Sequence, residues 1–251
     1  HTAIIIGPAI GGFLYFLGPE IVYIICTALI LFSIFLTFFI SYSHKRSSNK
    51  LHISDMFAGI SFIWKNKTLL GAISLDLFAV LLGGATALLP IYAKDILYVG
   101  PEGLGVLRAA PAVGALICAL LIAQWPMQRK VGKKLFIAVG IFGCSMLVFG
   151  ISTNFILSIL ALVLAGAADS FSVVIRMTLI QLETPDSMRG RVSSVNAIFI
   201  GASNELGEFE SGLTAEFFGP VGSIVIGSIG TILIVLIWAR IFPNLLEREK
   251  L

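Results

Sequence analysis

Apolar residues in this chain come in long unbroken runs, not in the two-residue alternation of a half-buried strand or the narrow stripe of a soluble helix. Eight runs stand out: Thr2 to Leu17, Glu20 to Tyr42, Leu69 to Ala93, Gly103 to Trp125, Lys134 to Ser152, Asn154 to Leu182, Arg191 to Phe217 and Gly219 to Phe242. Most are close to the about 20 residues that a helix needs to cross a hydrocarbon core. The pattern predicts an all-α, polytopic membrane protein whose first run is too short to be a whole span. Between the second and third runs, Ile53, Met56, Phe57, Ile60, Ile63 and Trp64 recur at helical spacing beside Asp55, Lys65 and Lys67. That segment reads as an amphipathic helix, lying on the membrane surface or packed as a connector against the bundle.

Composition agrees with a lipid setting: of 251 residues, 57% are hydrophobic and only 12% charged, with a mean hydropathy of +0.99, far from soluble domains. The 17 Lys and Arg then orient the spans, because positive charge near span ends gathers on the cytoplasmic side. Fourteen lie in alternate connections: Lys45, Arg46, Lys50, Lys65 and Lys67; Arg129, Lys130, Lys133 and Lys134; Arg189 and Arg191; Arg240, Arg248 and Lys250. The opposite connections hold only Lys94, while Arg108 and Arg176 fall inside spans. The expectation is a multi-pass protein of the inner, cytoplasmic membrane with its C-terminus in the cytoplasm. Since topology explains the basic residues, no nucleic-acid partner is expected. Cys26, Cys118 and Cys144 sit singly on three spans, so neither disulfide, metal site nor cofactor is indicated. The chain opens at His1 directly on an apolar segment, without a signal peptide, and reads as truncated.

The end of the first span repeats at the end of the seventh. Gly11, Phe16 and Gly18-Pro19 recur as Gly212, Phe217 and Gly219-Pro220, 201 residues further on. Six spans fit one offset, as a parallel duplication of six-helix halves would leave. The organisation expected is therefore residues 1–42 as the remnant of an N-terminal half, 43–68 as a cytoplasmic linker carrying the amphipathic helix, and 69–251 as a C-terminal six-helix half, with a large part of the N-terminal half preceding His1.

Carboxylates at membrane depth are costly and are kept where they face water, a bundle interior or a transport path. Away from span ends they are Asp76 on the third span, Asp169 on the sixth, and Glu205, Glu208, Glu210 and Glu216 on the seventh. At helical spacing Gly201, Asn204, Glu205, Glu208, Gly212 and Glu216 share one face of the seventh span, with Glu210, Ser203, Asn196 and Thr214 opposite. Asp169 and Arg176 share a face of the sixth span, two turns or about 10.5 Å apart, so partners must come from neighbouring helices. Asp76, Asp169, Glu205 and Glu208 are the candidates for proton coupling or cavity lining. Arg176 is the candidate counter-ion of a seventh-span glutamate or of Asp169, and Arg108 either a charge partner or a side chain reaching the interface.

Several local signatures resemble the major facilitator superfamily, and within it the drug and siderophore (enterobactin exporter-like) branch. Gly7-Pro8-Ala9-Ile10-Gly11-Gly12 resembles the glycine-proline motif of the fifth helix of the family's antiporters, which carries a gating and helix-packing role. Thr184-Pro185-Asp186-Ser187-Met188-Arg189-Gly190-Arg191-Val192 is similar to the Pro, Arg-Gly-Arg turn between helices ten and eleven. Lys130 with Gly132-Lys133-Lys134 resembles the basic end of the loop motif between helices eight and nine, although Arg129 stands where that motif carries an aspartate, so the charge-relay role is not carried over. The resemblance implies that the chain is helices five to twelve of twelve, with seven, eight, ten and eleven lining the cavity.

These readings lead to one expected function: a secondary active transporter that exports a small amphipathic organic compound, drug or siderophore-like, by alternating access as a proton-coupled antiporter in the plasma membrane. Its partners would be the substrate, protons and the bilayer, and it would act as a monomer. A facilitator or importer of the same fold, or a channel, is the alternative. An intramembrane enzyme has little support: His44 and His52 lie in the cytoplasmic loop, and no nucleophile elbow, phosphate loop or paired metal motif occurs.

Overall fold

The computed structural model of the protein describes residues 7, 10, 11, 14, 15, 18–39, 53–84, 86–124 and 130–249, the side chains of 53–56 aside. Pro8, Gly12, Arg129 and the loop histidines lie outside them. Among the described residues the chain is all-α: α1 (Pro19–Thr37), α2 (Ile53–Lys65), α3 (Lys67–Gly83), α4 (Pro101–Gln124), α5 (Val131–Ile151), α6 (Phe155–Glu183), α7 (Asp186–Ile241) and the short α8 (Pro243–Leu246). Lipid offers no partner for backbone N–H and C=O groups, so helices that satisfy their own are the expected answer to such apolar runs. Among the described residues six helices are long and apolar enough to cross a membrane.

The longest of these, α7, holds 56 residues, far more than one crossing of about 30 Å requires at 1.5 Å per residue. It is two spans meeting at Gly219, whose φ of 74° and ψ of 165° break the helix. Only glycine adopts that region freely. Pro220 then starts the next span with a ring that needs no N–H donor. Gly18 has the same sign of φ, at 116°, and Pro19 likewise begins α1. The Gly-Pro pairs matched in the sequence thus share a local geometry.

The third span was expected to be continuous and is not. α3 stops at Gly83; a 3₁₀ turn, Thr86–Leu88, and a π-helical turn, Tyr92–Ile96, finish the crossing. Tyr92 anchors the irregular part to α5: its hydroxyl donates to the Gly150 carbonyl at 2.7 Å and its ring stacks on Phe149 at 4.7 Å.

α4 packs on α6, α3 on both limbs of α7, and α5 lies between α6 and α7. Gly114 and Gly166 bring α4 and α6 into backbone contact: a Cβ at Gly166 would collide with the Pro111 carbonyl, and one at Gly114 with the Val163 carbonyl. Small residues commonly set such approaches in membranes. Two apolar clusters fill the bundle. The one around Leu69, Leu75, Leu135, Leu179 and Leu245 lies toward the Lys/Arg-rich end, and the other, around Leu89, Leu107, Phe149 and Ile224, toward the opposite end. Outward residues such as Ile137, Leu160 and Leu236 are about 60% exposed, as a lipid-facing surface requires.

α2 packs against the bundle through Gly59 and Ile63, with Gly59 seated on the Arg191 backbone, while Phe57 and Trp64 remain exposed. The connector alternative therefore describes it, though with a narrower buried face than the apolar spacing suggested. Asn66 then caps α3, its side-chain oxygen accepting from the Thr68 and Leu69 amides at 3.1 and 3.2 Å.

Candidate functional site

At the centre of the bundle Arg176 of α6 pairs with Asp76 of α3, the guanidinium Nη1 donating to Asp76 Oδ2. Their side chains are 2% and 9% exposed. The small buried neighbours Ala72, Ala79 and Ser172 allow the approach. Here the structure corrects the sequence reading, which sought the partner of Arg176 in Asp169 or a seventh-span glutamate. Asp169 is two turns along the same helix, and Glu205 and Glu208 are exposed, so the carboxylate on the adjoining helix takes the charge.

Asp169 occupies the boundary between the two apolar clusters and makes no hydrogen bond or ion pair with a described residue. It lines a cavity of about 200 Å³ together with Arg108, Asn204 and Thr86 on the polar side and Phe142, Met146 and Phe149 on the apolar side. Toward the Lys/Arg-rich end, Asp169, Asp76 and Ser172 surround a gap of about 10 Å³, near the lower limit for one water molecule. Asp169 therefore lies between the cavity and the Asp76–Arg176 pair. On the other side, Arg108 also lines a wider cavity of about 830 Å³ with Gly11, Tyr15, Lys94 and Tyr98. Arg108 is exposed and connects the two spaces.

The break in the third span forms one wall of the inner cavity through Gly83, Gly84 and Thr86. Hydroxyls from both limbs of α7 hold it. Ser211 Oγ donates to the Gly84 carbonyl at 3.2 Å and Thr231 Oγ1 to the Ala79 carbonyl at 3.1 Å, while Ser223 Oγ donates to the Ser211 carbonyl at 2.9 Å. Sequence reasoning missed Gly84, Ser211 and Thr231, because a glycine pair in an apolar run and isolated hydroxyls are ordinary in membrane helices.

The seventh span divides into the two expected faces. Val192, Val195, Asn196, Ser203, Gly207 and Ser211 are buried, whereas Gly201, Asn204, Glu205, Glu208, Gly212 and Glu216 are exposed among the described residues. Of these only Asn204 lines the inner cavity. Gly11 lines the outer cavity, and Gly7 is exposed.

The Pro185 to Arg191 turn joins α6 to α7: the Met188 amide donates to the Pro185 carbonyl at 2.9 Å, Arg189 pairs with Asp186 at 2.6 Å, and Gly190 is exposed. Beside it, Glu183 accepts from Arg248 at 2.5 Å and from Asn66 at 3.4 Å, and the Gly132 amide donates to the Arg248 carbonyl at 3.0 Å. Glu183 and, in the segment after α8, Arg248 thus tie together the Lys/Arg-rich ends of α3, α5 and α6. Glu183 shares a face with Arg176 at a spacing of seven, but its partners were not legible from that spacing.

Comparison with known proteins gives two relatives of the same description. Enterobactin exporter EntS of Citrobacter koseri is 26% identical over 132 residues, covering 52% of this chain and 32% of the relative. Enterobactin exporter EntS of Shigella flexneri is 28% identical over 181 residues, 67% of this chain and 42% of the relative. The chain spans less than half the length of these curated relatives. The model of the Major Facilitator Superfamily matches residues 1–208, and that match includes the glycine-rich first run, the broken third span, the Asp76–Arg176 pair and the Pro185 turn. The chain belongs to the Major Facilitator Superfamily.

Proposed function

We propose that the protein of which this chain is a part is a secondary active exporter of a small amphipathic organic compound, coupled to protons and working by alternating access across the inner membrane, with its C-terminus cytoplasmic. The observation that carries this reading is the placement of Asp169, a carboxylate without a described partner, on the wall of a cavity that Arg108 links to a larger one. Asp169 is the group we assign to proton loading. A proton taken up on its carboxylate from the outer side makes it neutral, and release to the cytoplasm restores the charge, so substrate and proton compete for one space. Asp76 and Arg176 neutralise each other and serve to hold α3 against α6. Glu205 and Glu208 are assigned to the surface that the other half of the transporter would cover. The names of the two relatives favour export over import, and the apolar and aromatic cavity lining favours an amphipathic cargo.

The full-length protein in proteoliposomes, with an imposed pH gradient and a panel of fluorescent aromatic dyes of each charge type, tests the proposal. Gradient-driven accumulation of one dye is expected, with Asp169→Asn abolishing it while leaving gradient-free exchange intact. Flux that ignores the gradient in the unmodified protein would establish a facilitator, and conductance beyond carrier turnover a channel. Full gradient-driven transport in Asp169→Asn removes Asp169 from the mechanism.

A further inference from the structure

Seventeen cations are present, and topology accounts for fourteen of them by the positive-inside rule. Asp76 accounts for Arg176. The remaining two, Lys94 and Arg108, have no such explanation: Lys94 lies in a connection on the sparsely charged side and Arg108 inside a span. They come from different elements, the π-helical turn Tyr92–Ile96 and α4, yet both line the same cavity of about 830 Å³. Among the described residues that line the cavity none is acidic, and its other walls are Tyr15, Tyr98 and small or apolar groups such as Ala93 and Leu104. Asp95 and Glu102, the nearest acids in sequence, are not among its described lining residues, although the Glu102 carboxylate lies against Gly100, which is.

A guanidinium on one wall and an ammonium on another, held among low-dielectric surfaces with no acid among the described lining residues, set up a positive potential that concentrates anions. Arg presents two parallel N–H donors that match a carboxylate or sulfonate, while Lys adds a point charge and the tyrosine rings supply faces for an aromatic body. The volume suits a drug-sized molecule, within the about 300–1,000 Å³ of typical ligand sites.

From this we infer that the outer cavity is a binding site for an aromatic organic anion, held by Arg108 and Lys94. The inference deepens the exporter reading, resting on it only for the direction of travel, and it makes the cargo an acid, not one of the cationic dyes.

The test is equilibrium binding of tritiated naphthalene sulfonate and of the matched cation naphthylmethylammonium to the full-length protein in zwitterionic nanodiscs, with protein-free discs as background. The sulfonate should bind in preference to the cation. Arg108→Gln should weaken the sulfonate by about tenfold, the loss of one charge-assisted hydrogen bond, and Lys94→Gln by about threefold, an exposed charge. Arg108→Lys should retain most of the binding, and an unchanged elution profile confirms that the variants fold. An anionic lipid headgroup offers the same chemistry: competition by added phosphatidylglycerol would assign the site to lipid anions, and its absence to a diffusible anion. Equal or better binding of the cation, or sulfonate binding indifferent to Arg108→Gln, overturns the inference. Sulfonate binding that depends on Arg108 without any gradient-driven movement sinks the exporter reading and leaves the anion site standing.

Discussion

Asp76 on α3 and Arg176 on α6 form an ion pair that is nearly closed to solvent on both partners. Each charge is tolerable at that depth only because the other is there. Removing one partner leaves an uncompensated buried charge, which costs about 3–5 kcal/mol, whereas replacing both with uncharged groups of similar volume is far milder. Asp76→Asn and Arg176→Gln should each lower the thermal midpoint of the detergent-solubilised protein strongly, and the double variant should recover much of the loss. Additive losses in that cycle would show that the two side chains do not meet.

Asp169, seven residues from Arg176 on the same helix, should behave differently. It lacks a described partner, so Asp169→Asn is expected to leave the thermal midpoint near the original value while removing response to a pH gradient. A collapse in stability comparable to that of Asp76→Asn would make Asp169 a packing residue.

The contact between α4 and α6 gives a third expectation. Gly166→Ala adds a methyl group where the Pro111 carbonyl already sits, and helix backbones can retreat only by opening the bundle. Overpacking of this kind costs about 1–3 kcal/mol. Because both helices also wall the inner cavity, the substitution should weaken ligand binding as well. Unfolding and binding measurements indifferent to Gly166→Ala would contradict the close approach.

At Gly219 the expected effect is conformational. Its backbone lies where a Cβ is not accommodated, so Gly219→Ala should destabilise by about 1–3 kcal/mol without removing any contact. Thermal denaturation beside Gly212→Ala, a site with no neighbour near its Cβ position, separates the backbone effect from general loss of glycine.

Orientation is open to a chemical test. With the Lys/Arg-rich ends in the cytoplasm, Asp95→Cys should react with a membrane-impermeant maleimide in intact cells, whereas Lys65→Cys should react only after permeabilisation. The reverse order would invert the assignment.

How much of this was legible beforehand follows from the range of the forces involved. Span positions and the kink at Gly219-Pro220 depend on local composition and on proline's fixed geometry, and the helices end within a few residues of the apolar runs. Which face of the seventh span carries Ser203 and which carries Glu205 also follows from a helix's own period. The partner of Arg176 does not, because it depends on which helices become neighbours; once α3 adjoins α6, Asp76 is simply nearest. The break after Gly83 was hidden for a related reason. Nothing in an apolar stretch marks the point where a carbonyl will find its donor on another helix, as Gly84 does with Ser211.

That cross-helix bond has a mechanical consequence. Where a rod is already interrupted, and the group at the interruption is held from outside the rod, a change in angle sacrifices none of the ladder that stiffens it. Displacing the limb of α7 before Gly219 would pull on the Gly84 joint through Ser211, and the Ala79 tether from Thr231 would resist from the other limb. The wall of the inner cavity at Gly83 and Gly84 is therefore the part whose angle both limbs of α7 set.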